Sequence, residues 1–453
     1  MQRILAIAWL TWKAAIRFRL FAVIAVLLVL AVVGLPLVIK DDGTAKGFTE
    51  IILTYTLSAV TVLLGFSTLW LSCGTLARDI EECQIQVIAT KPIARWQIWL
   101  GKWLGIAMLN AVLLILAGGC IYGLLQWRAS KLPAQERADL RSQVMVARGS
   151  ARERNYDAEI NAETEQVLQN RLKQSPVTIA DLAEVRKQIR EEVKADLQLV
   201  TPGYPHEWKI DLGQAKNYLK DKPLQLRIKF NAASHSPAGT YIGAWQIGDQ
   251  TSTNLVQIEQ ASLSPDNFHE FEIPPNLFKS NGELDIVFLN VNATALLFPL
   301  EDGMEVLYPE SGFTVNFIRA LCIIFCWLVL LSAIGLMAAS FLSFPVATFF
   351  SLAMLALAFS SDTITEAVGA GSEPTTAHSL SDMVMTPVYG GLLYIINLAE
   401  KFSPVDAVST GRSIPWSELA TAFGQIVLLL GGLFALIGII LFNRRELATA
   451  QNQ

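Results

Sequence analysis

The residues with the clearest chemical potential in this sequence are charged side chains set between two long apolar runs. Residues 76–105 read LARDIEECQIQVIATKPIARWQIWLGKWLG, and they follow one apolar run and open the next. Acidic and basic side chains on a short helical segment suit docking of another protein. The candidate docking residues are Arg78, Asp79, Glu81, Glu82, Lys91, Pro92 and Arg95. An ordinary charged loop between two membrane spans is the alternative interpretation.

The sequence lacks the common motifs of catalysis. A phosphate-binding loop ends in Lys-Ser or Lys-Thr, whereas Gly101-Lys102 is followed by Trp103. The 4 histidines have no zinc-binding spacing, and no G-x-S-x-G nucleophile elbow occurs. Cys322 and Cys326 share a helical face, but two thiols without a third ligand favour core packing over metal binding. We therefore expect no catalytic residues, no metal and no cofactor bound by this chain.

Composition indicates a membrane protein and argues against a nucleic-acid-binding protein. Hydrophobic residues make up 52% of the chain and charged residues 17%, whereas soluble domains contain about 25% charged residues. The net charge of -5 is small, and the basic residues lie at the ends of apolar runs. The polar middle of the chain contains no cysteine, so it must fold without disulfide bonds.

Apolar runs predict about six transmembrane helices, because about 20 apolar residues cross the bilayer core. The runs are 19–39, 51–73, 98–125, 313–340, 344–361 and 420–442. Lys and Arg concentrate before the first run, between the second and third, and after the last, which predicts that both termini are cytoplasmic. Gly101 and Gly105 form a small-xxx-small pair that favours close helix contact. Asn110 and Asn316 either line a path or form hydrogen bonds between helices.

The N-terminal segment mixes apolar and basic side chains at helical spacing. This pattern predicts an amphipathic helix at the membrane surface, with its aromatic rings at headgroup level. The interface residues are Trp9, Trp12, Lys13 and Arg17. A plain membrane anchor is the alternative for this helix. With the first three spans and a coupling helix at 78–90, the N-terminal segment forms a predicted membrane region at 1–126, and the last three spans form a second one at 313–453.

A long polar insert separates the third and fourth apolar runs. Its first part, 127–200, is rich in charge, and Leu182, Val185 and Ile189 recur at helical spacing. We expect a helical hairpin here, with disorder of its first arm as the alternative. Its second part, 201–312, alternates apolar and polar residues between Gly and Pro turns, which predicts an antiparallel β-sandwich.

Three aromatic residues of the predicted sandwich have two interpretations. They are Trp208, Tyr241 and Trp245. Aromatic side chains on strands stack on a sugar in some proteins, and they fill the sandwich core more often. The pattern favours the core.

The membrane part of the sequence resembles the permeases of ABC-2 type transporters. The matching residues are Arg78, Asp79, Glu81, Glu82, Pro92, Arg95, Gly101 and Lys102. They fit an acidic coupling helix, a Pro-x-x-Arg motif and a Gly-Lys pair that opens the next span. One departure is Cys83-Gln84, where the family frequently has Gly-Thr. The resemblance covers most of the membrane region and none of the insert.

This resemblance implies an α-helical membrane protein in the ABC-2 permease arrangement, with an added α+β extracytoplasmic region. A member of this family would bind a separate ABC ATPase subunit, which carries ATP and Mg²⁺. It would pair with a second permease copy, most simply as a homodimer, in a bacterial inner membrane. Residues 385–399, which are apolar but too short to cross, would form a re-entrant segment. The insert at 127–312 would lie outside the cytoplasm, near an envelope or periplasmic partner.

Two kinds of function follow from these expectations. The first couples ATP hydrolysis in the partner subunit to export or to mechanical work in the cell envelope. The alternative is a membrane-anchored envelope scaffold, or a protein that binds a glycan or another protein without transport. About six spans and a charged internal segment are more than an anchor requires, which favours the first.

The predicted topology can be tested with single cysteines in a cysteine-free background. We expect Ser175→Cys and Ser236→Cys to react with a membrane-impermeant thiol reagent in intact cells, because both residues lie in the insert. Ala448→Cys, near the C terminus, should react only after the cells are opened. Labelling of Ala448→Cys but not Ser175→Cys in intact cells would place the insert in the cytoplasm instead.

Overall fold

The computed structural model of the chain divides into two compact units and is mostly helical, with 64% of residues in helices. The first unit combines Met1–Ala147 with Ser311–Gln453, and the second is Arg148–Glu310. The structure describes residues 2–17, 20–39, 44–82, 93–174, 182–217, 219, 221–234, 239–248, 255–359 and 402–445.

The helices in chain order are α1 (Gln2–Arg17), α2 (Leu20–Val38), α3 (Ala45–Glu81), α4 (Arg95–Lys131), α5 (Ala134–Gln143), α6 (Asp157–Gln174), α7 (Leu182–Gln198), α8 (Phe313–Ala339), α9 (Phe344–Phe359), α10 (Pro404–Ser409), α11 (Trp416–Ala422) and α12 (Gly432–Arg444). A π-helical segment, Phe423–Gly431, joins α11 to α12. The strands are β1 (Val146–Arg152), β2 (Leu199–Val200), β3 (Pro205–Asp211), β4 (Leu224–Ile228), β5 (Asn231–Ala232), β6 (Tyr241–Gly248), β7 (Leu255–Leu263), β8 (His269–Ile273), β9 (Glu283–Leu289), β10 (Leu296–Leu297) and β11 (Met304–Gly312).

Within the part of the chain that the structure describes, four helices are long and apolar enough to cross a membrane. They are Gly47–Glu81 within α3, α4, α8 and the continuous helix Trp416–Arg444. Counting α1 with α2 as one bent span raises the number to five. The 16 residues of α9 rise about 24 Å, which is less than the hydrocarbon core of about 30 Å. The structure therefore supports a helical membrane protein and does not establish the six-span arrangement.

Several predicted features lie outside the described residues. They are Arg19 at the start of the first span, residues 83–90 of the coupling helix, Lys91 and Pro92, residues 360–361 of the fifth span, the segment 385–399 and Ala448.

The predicted close contact at Gly101 and Gly105 is present, and its partner is α1. A Cβ atom at Gly101 would lie 2.6 Å from the Ile7 Cβ, and one at Gly105 would lie 2.8 Å from the Thr11 Cβ. Only glycine lets the two helix backbones approach so closely. Helix α1 is therefore packed along α4 through its small and apolar face.

The second unit contains two four-stranded sheets that face each other across one core. Their strand orders are β1-β11-β4-β8 and β3-β9-β6-β7, and a small third sheet has the order β2-β10-β5. The apolar residues predicted to alternate, such as Leu226 on β4 and Ile286 on β9, are fully buried in this core. The predicted turn at Asn281-Gly282 is also present, since Gly282 has a φ of +98°.

The insert contains a helical hairpin, and its strands β1 and β2 lie in the part that was predicted to be helical. Helices α6 and α7 pack together through Ile160, Leu168, Ile189 and Val193. Before them, β1 joins the first sheet, so the strands begin upstream of the predicted boundary at 201. The sequence of β1, VARGSAR, has no large apolar side chain after its first residue. It therefore gives none of the alternation by which a strand is usually predicted.

A buried layer of charge lies on one sheet of the second unit. Arg148 on β1 contacts the Glu270 carboxylate of β8 at 3.3 Å, and Arg227 on β4 contacts the Glu305 carboxylate of β11 at 3.4 Å. Glu305 is fully buried and also accepts a 2.8 Å hydrogen bond from the Ser150 hydroxyl. Alternation predicts that this face of β4 is solvated. It is buried instead, and the ion pairs offset the lost hydration of the charges.

We expect residues 146–312 to fold alone as a monomer with cooperative thermal unfolding, because they hold a complete core without cysteine. Residues 201–312 should be markedly less stable, since they lack β1 and with it Ser150, a partner of the buried Glu305. Losing a hydrogen bond to a charged group costs about 1.5–3 kcal/mol. Circular dichroism melting curves of the two fragments measure the difference. Equal melting temperatures would show that β1 is dispensable for this core.

Candidate functional site

The described docking residues lie at the end of α3 and the start of α4. Arg78, Asp79 and Glu81 occupy the last turn of α3, where Glu82 is the C-cap residue. The helix thus continues through the first part of the segment that was predicted as a separate coupling helix. Arg95 is the first residue of α4. We call Arg78, Asp79, Glu81, Arg95, Lys102 and Arg445 the helix-end cluster, because each contacts the end of a neighbouring helix.

The shortest ion pair of the cluster joins α3 to α4. The Lys102 Nζ atom lies 2.5 Å from the Asp79 Oδ2 atom and donates to the Thr75 carbonyl oxygen at 2.6 Å. Lys102 is only 6% exposed, while the Asp79 side chain is 26% exposed. A buried ammonium group requires a carboxylate and hydrogen-bond acceptors to offset its lost hydration. Asp79 therefore forms its ion pair within the first unit, with Lys102 of α4.

Two arginines cap the C-terminal ends of helices. The Arg95 Nη1 atom donates to the carbonyl oxygens of Phe442, Asn443 and Arg445, at 2.9 to 3.0 Å. The Arg445 guanidinium in turn reaches the Ser340 carbonyl oxygen at 3.3 Å, at the end of α8. The last carbonyl groups of a helix have no partner within the helix, and the negative end of the helix dipole attracts a cation. These contacts link the start of α4 to the ends of α12 and α8.

Glu81 and Arg78 hold the start of α9. The Glu81 Oε1 atom accepts a hydrogen bond of 2.9 Å from the Phe344 N–H group, at the N-terminal end of α9. The Arg78 guanidinium carbon lies 4.4 Å from the centroid of the Phe344 ring. A carboxylate is favourable at this positive end of a helix, and a cation is favourable over an aromatic face. The acidic and basic residues of α3 thus orient the next helix.

The helix-end cluster therefore connects the ends of α3, α4, α8, α9 and α12. Its chemistry is ion pairing and helix capping. Among the described residues, no group of three or more His, Cys, Asp or Glu side chains has the arrangement of a metal site. The end of α3 contacts α4 and α9 directly, and it is linked to α12 and α8 through Arg95 and Arg445.

The predicted membrane-interface residues lie on α1. Trp9 is exposed, Arg17 is exposed, and Trp12 is partly buried against the core of the first unit. The Lys13 ammonium lies 5.9 Å from the centroid of the Trp9 ring. Helix α1 therefore presents aromatic and basic groups on one side while its other side packs on α4.

The three candidate ligand aromatics lie in the core of the second unit. Trp208, Tyr241 and Trp245 are all buried, and the Trp245 ring packs 4.5 Å from the Phe288 ring. Burial also lowers the pKa of His206, whose ring lies 4.3 Å from that of Trp208. These rings stabilise the sandwich and offer no aromatic face to a sugar.

The asparagines predicted inside spans form hydrogen bonds between helices or segments. The Thr68 hydroxyl donates to the Asn110 Oδ1 atom at 3.0 Å, between α3 and α4. Asn316 donates to the Arg412 carbonyl oxygen at 2.6 Å and accepts from the Ile414 N–H group at 2.8 Å.

Sequence analysis missed Arg319, which is buried in α8 three residues after Asn316. Its signal was present, because a basic residue inside an apolar run marks a functional position by default. The structural roles of Arg95 and Arg445 had no such signal, since their acceptors are backbone carbonyl groups.

No protein-family model matches this chain, and no curated protein matches it.

We expect Asp79→Asn to lower the free energy of unfolding by up to about 3 kcal/mol, because it leaves the buried Lys102 ammonium without a carboxylate. The double variant with Lys102→Met should recover much of this loss, since neither charge then remains. Glu159→Gln, which removes an exposed ion pair with Arg154, is the control and should cost less than about 1 kcal/mol. Thermal unfolding of the full chain in detergent measures all of these variants. Additive losses in the double variant would show that the two side chains do not act as a pair.

Proposed function

We propose that this chain is the permease subunit of an ABC-2 type transporter in a bacterial inner membrane. In this proposal it couples ATP hydrolysis by a separate ATPase subunit to export or to mechanical work in the cell envelope. The observation that carries the proposal is the helix-end cluster. The segment that resembles a coupling helix begins at the end of α3. The contacts of the cluster link this end with α4, α8, α9 and α12.

The cluster supplies what a coupling element needs. A partner that pushes on residues after Glu82 would move the last turn of α3, where Asp79 pulls on Lys102 of α4 and Glu81 pulls on the start of α9. Arg95 would carry the same displacement to the end of α12. Rigid helices tied at their ends respond by tilting rather than by local bending, as in rigid-body transitions of packed helices.

The partners follow from this mechanism. The ATPase subunit would carry ATP and Mg²⁺, and a second copy of this chain would complete the transport path as a homodimer. The first unit would keep both termini in the cytoplasm, and the insert would lie on the outer side. The second unit, with its buried aromatic core, would act through its surface on an envelope partner.

Reversing one exposed charge of the docking segment tests the coupling proposal. We expect Glu82→Lys to weaken the complex with the ATPase about tenfold or more, because like charges across an interface are repulsive and 1.4 kcal/mol corresponds to a factor of ten. Glu82 is preferable to Glu81, whose carboxylate also caps α9. The measurements are the yield of copurified ATPase, its stimulated ATP hydrolysis and the melting temperature of the purified chain.

Glu163→Lys is a matched control for Glu82→Lys. It makes the same change of charge at an exposed position on α6 of the second unit, and it should leave ATPase yield and activity unchanged. If Glu82→Lys retains full complex yield and full stimulation, the docking assignment is wrong. If the wild-type chain copurifies with envelope proteins and with no ATPase carrying a phosphate-binding loop, the envelope scaffold is the better function.

A further inference from the structure

The membrane-length helices of the first unit contain two buried basic side chains with different partners. Lys102 of α4 has the Asp79 carboxylate at 2.5 Å. Arg319 of α8 is 7% exposed, and its polar partner is neutral: the Nη1 atom donates to the Ile414 carbonyl oxygen at 2.7 Å. Among the described residues no carboxylate lies within ion-pair distance of Arg319, and its buried Nε atom has no hydrogen-bond partner. Arg319 is thus a buried cation with no counter-ion among the residues that the structure describes.

The aromatic neighbour of Arg319 does not supply this counter-ion. The Trp416 ring centroid lies 4.4 Å from the guanidinium carbon, which is a cation–π contact. A ring face and one carbonyl oxygen attract the guanidinium but carry no net negative charge. An arginine has five N–H donors in a planar fork that matches the oxygens of a phosphate or carboxylate group. The Arg319 donors that have no acceptor among the described residues, such as the buried Nε–H group, are therefore suited to an anion.

The position of Arg319 along α8 indicates where this anion comes from. Arg319 is six residues after the start of the helix at Phe313, a rise of about 9 Å. A helix of 27 residues is about 40 Å long, so about 5 Å extends beyond each side of a core of about 30 Å. Arg319 then lies about 4 Å inside the core boundary, within reach of the headgroups for a long side chain that extends toward water.

The surroundings of Arg319 fit a lipid-facing surface. On the same helix, Val315 and Ile318 are exposed apolar residues. Trp416 is 63% exposed at the start of its own membrane-length helix. Tryptophan at a helix end is typical of the membrane–water interface, and exposed aliphatic side chains are typical of contact with acyl chains. A phosphate group at the headgroup level would thus meet a cation, an aromatic ring and an apolar surface.

We propose that Arg319 and Trp416 form a binding site for the phosphate group of an anionic membrane lipid. The phosphate receives hydrogen bonds from the guanidinium, while the Ile414 carbonyl group and the Trp416 ring fix the orientation of the guanidinium. The acyl chains lie along the apolar surface of α8 that includes Val315 and Ile318. This site depends on insertion of α8 in a membrane and is independent of docking to an ATPase.

The test compares lipid binding by full-length variants in detergent, with phosphatidylglycerol and phosphatidylcholine as probes. Native mass spectrometry measures the bound lipid, and thermal unfolding measures its stabilising effect. The wild-type chain should bind phosphatidylglycerol about tenfold more tightly than phosphatidylcholine. Both lipids carry a phosphate group, but the quaternary ammonium of phosphatidylcholine cancels its charge and repels the guanidinium. Arg319→Gln should abolish this preference, although a glutamine can still donate to the Ile414 carbonyl group. Arg319→Lys should retain part of it.

Two controls identify the source of the anion. Arg128→Gln removes another arginine that lies over a ring, that of Phe48, near the end of α4, and it should leave the preference unchanged. Inorganic phosphate at the lipid concentration should not raise the melting temperature. If Arg319→Gln does not fold, Trp416→Ala replaces it, and this variant should also reduce the preference.

Three results would overturn the proposal. The first is an unchanged preference for phosphatidylglycerol in both Arg319→Gln and Trp416→Ala. The second is an equal loss in Arg128→Gln, which would show a general charge effect. The third is equal stabilisation by inorganic phosphate, which would identify a free-anion site instead of a lipid site.

Discussion

The contact between Lys102 and Asp79 is the constraint on which the membrane-length helices depend. An ammonium group that is 6% exposed is stable only with a carboxylate beside it, so α3 and α4 must approach at this level. The neighbouring residues of α4 then have fixed partners. Successive residues of a helix are about 100° apart around its axis. Gly101 faces Ile7 of α1, Lys102 faces α3, and the Trp103 ring N–H group donates to the Val329 carbonyl oxygen of α8 at 3.1 Å. Three consecutive residues of α4 thus fix the positions of three neighbouring helices.

Sequence patterns predicted the elements whose signal is carried by side-chain type. The apolar runs locate the membrane-length helices, and Gly101 with Gly105 indicates a close helix contact. Helical spacing from Leu182 indicates α7, and alternation around Leu226 indicates β4. In each case the periodicity of the apolar residues directly reports which side of the element is buried.

The remaining features could not be predicted, because their partners are not visible in a sequence. Arg95 binds three backbone carbonyl groups that belong to a helix almost 350 residues later in the chain, and carbonyl groups have no sequence signature. Strand β1 pairs with β11 in the first sheet, although it has no large apolar side chain after its first residue. Arg227 alternates as a solvated residue would, yet it is buried, because Glu305 lies on the adjacent strand. A charge pair that forms on folding therefore buries a residue that alternation predicts to be exposed.

The helix-end cluster also limits which substitutions the end of α3 can accept. Asp79 and Glu81 each satisfy a group that has few other partners, an ammonium in one case and a helix N-terminal N–H group in the other. Loss of Asp79 leaves the buried Lys102 ammonium without its carboxylate, which costs about 1–3 kcal/mol or more. Loss of Glu81 removes a carboxylate from the exposed start of α9, which costs about 0.3–1 kcal/mol. Arg95 differs, because its acceptors are backbone atoms that persist whatever side chains α12 carries. Asp79 and Glu81 are therefore restricted by the packing of the helices themselves, independently of the proposed docking partner.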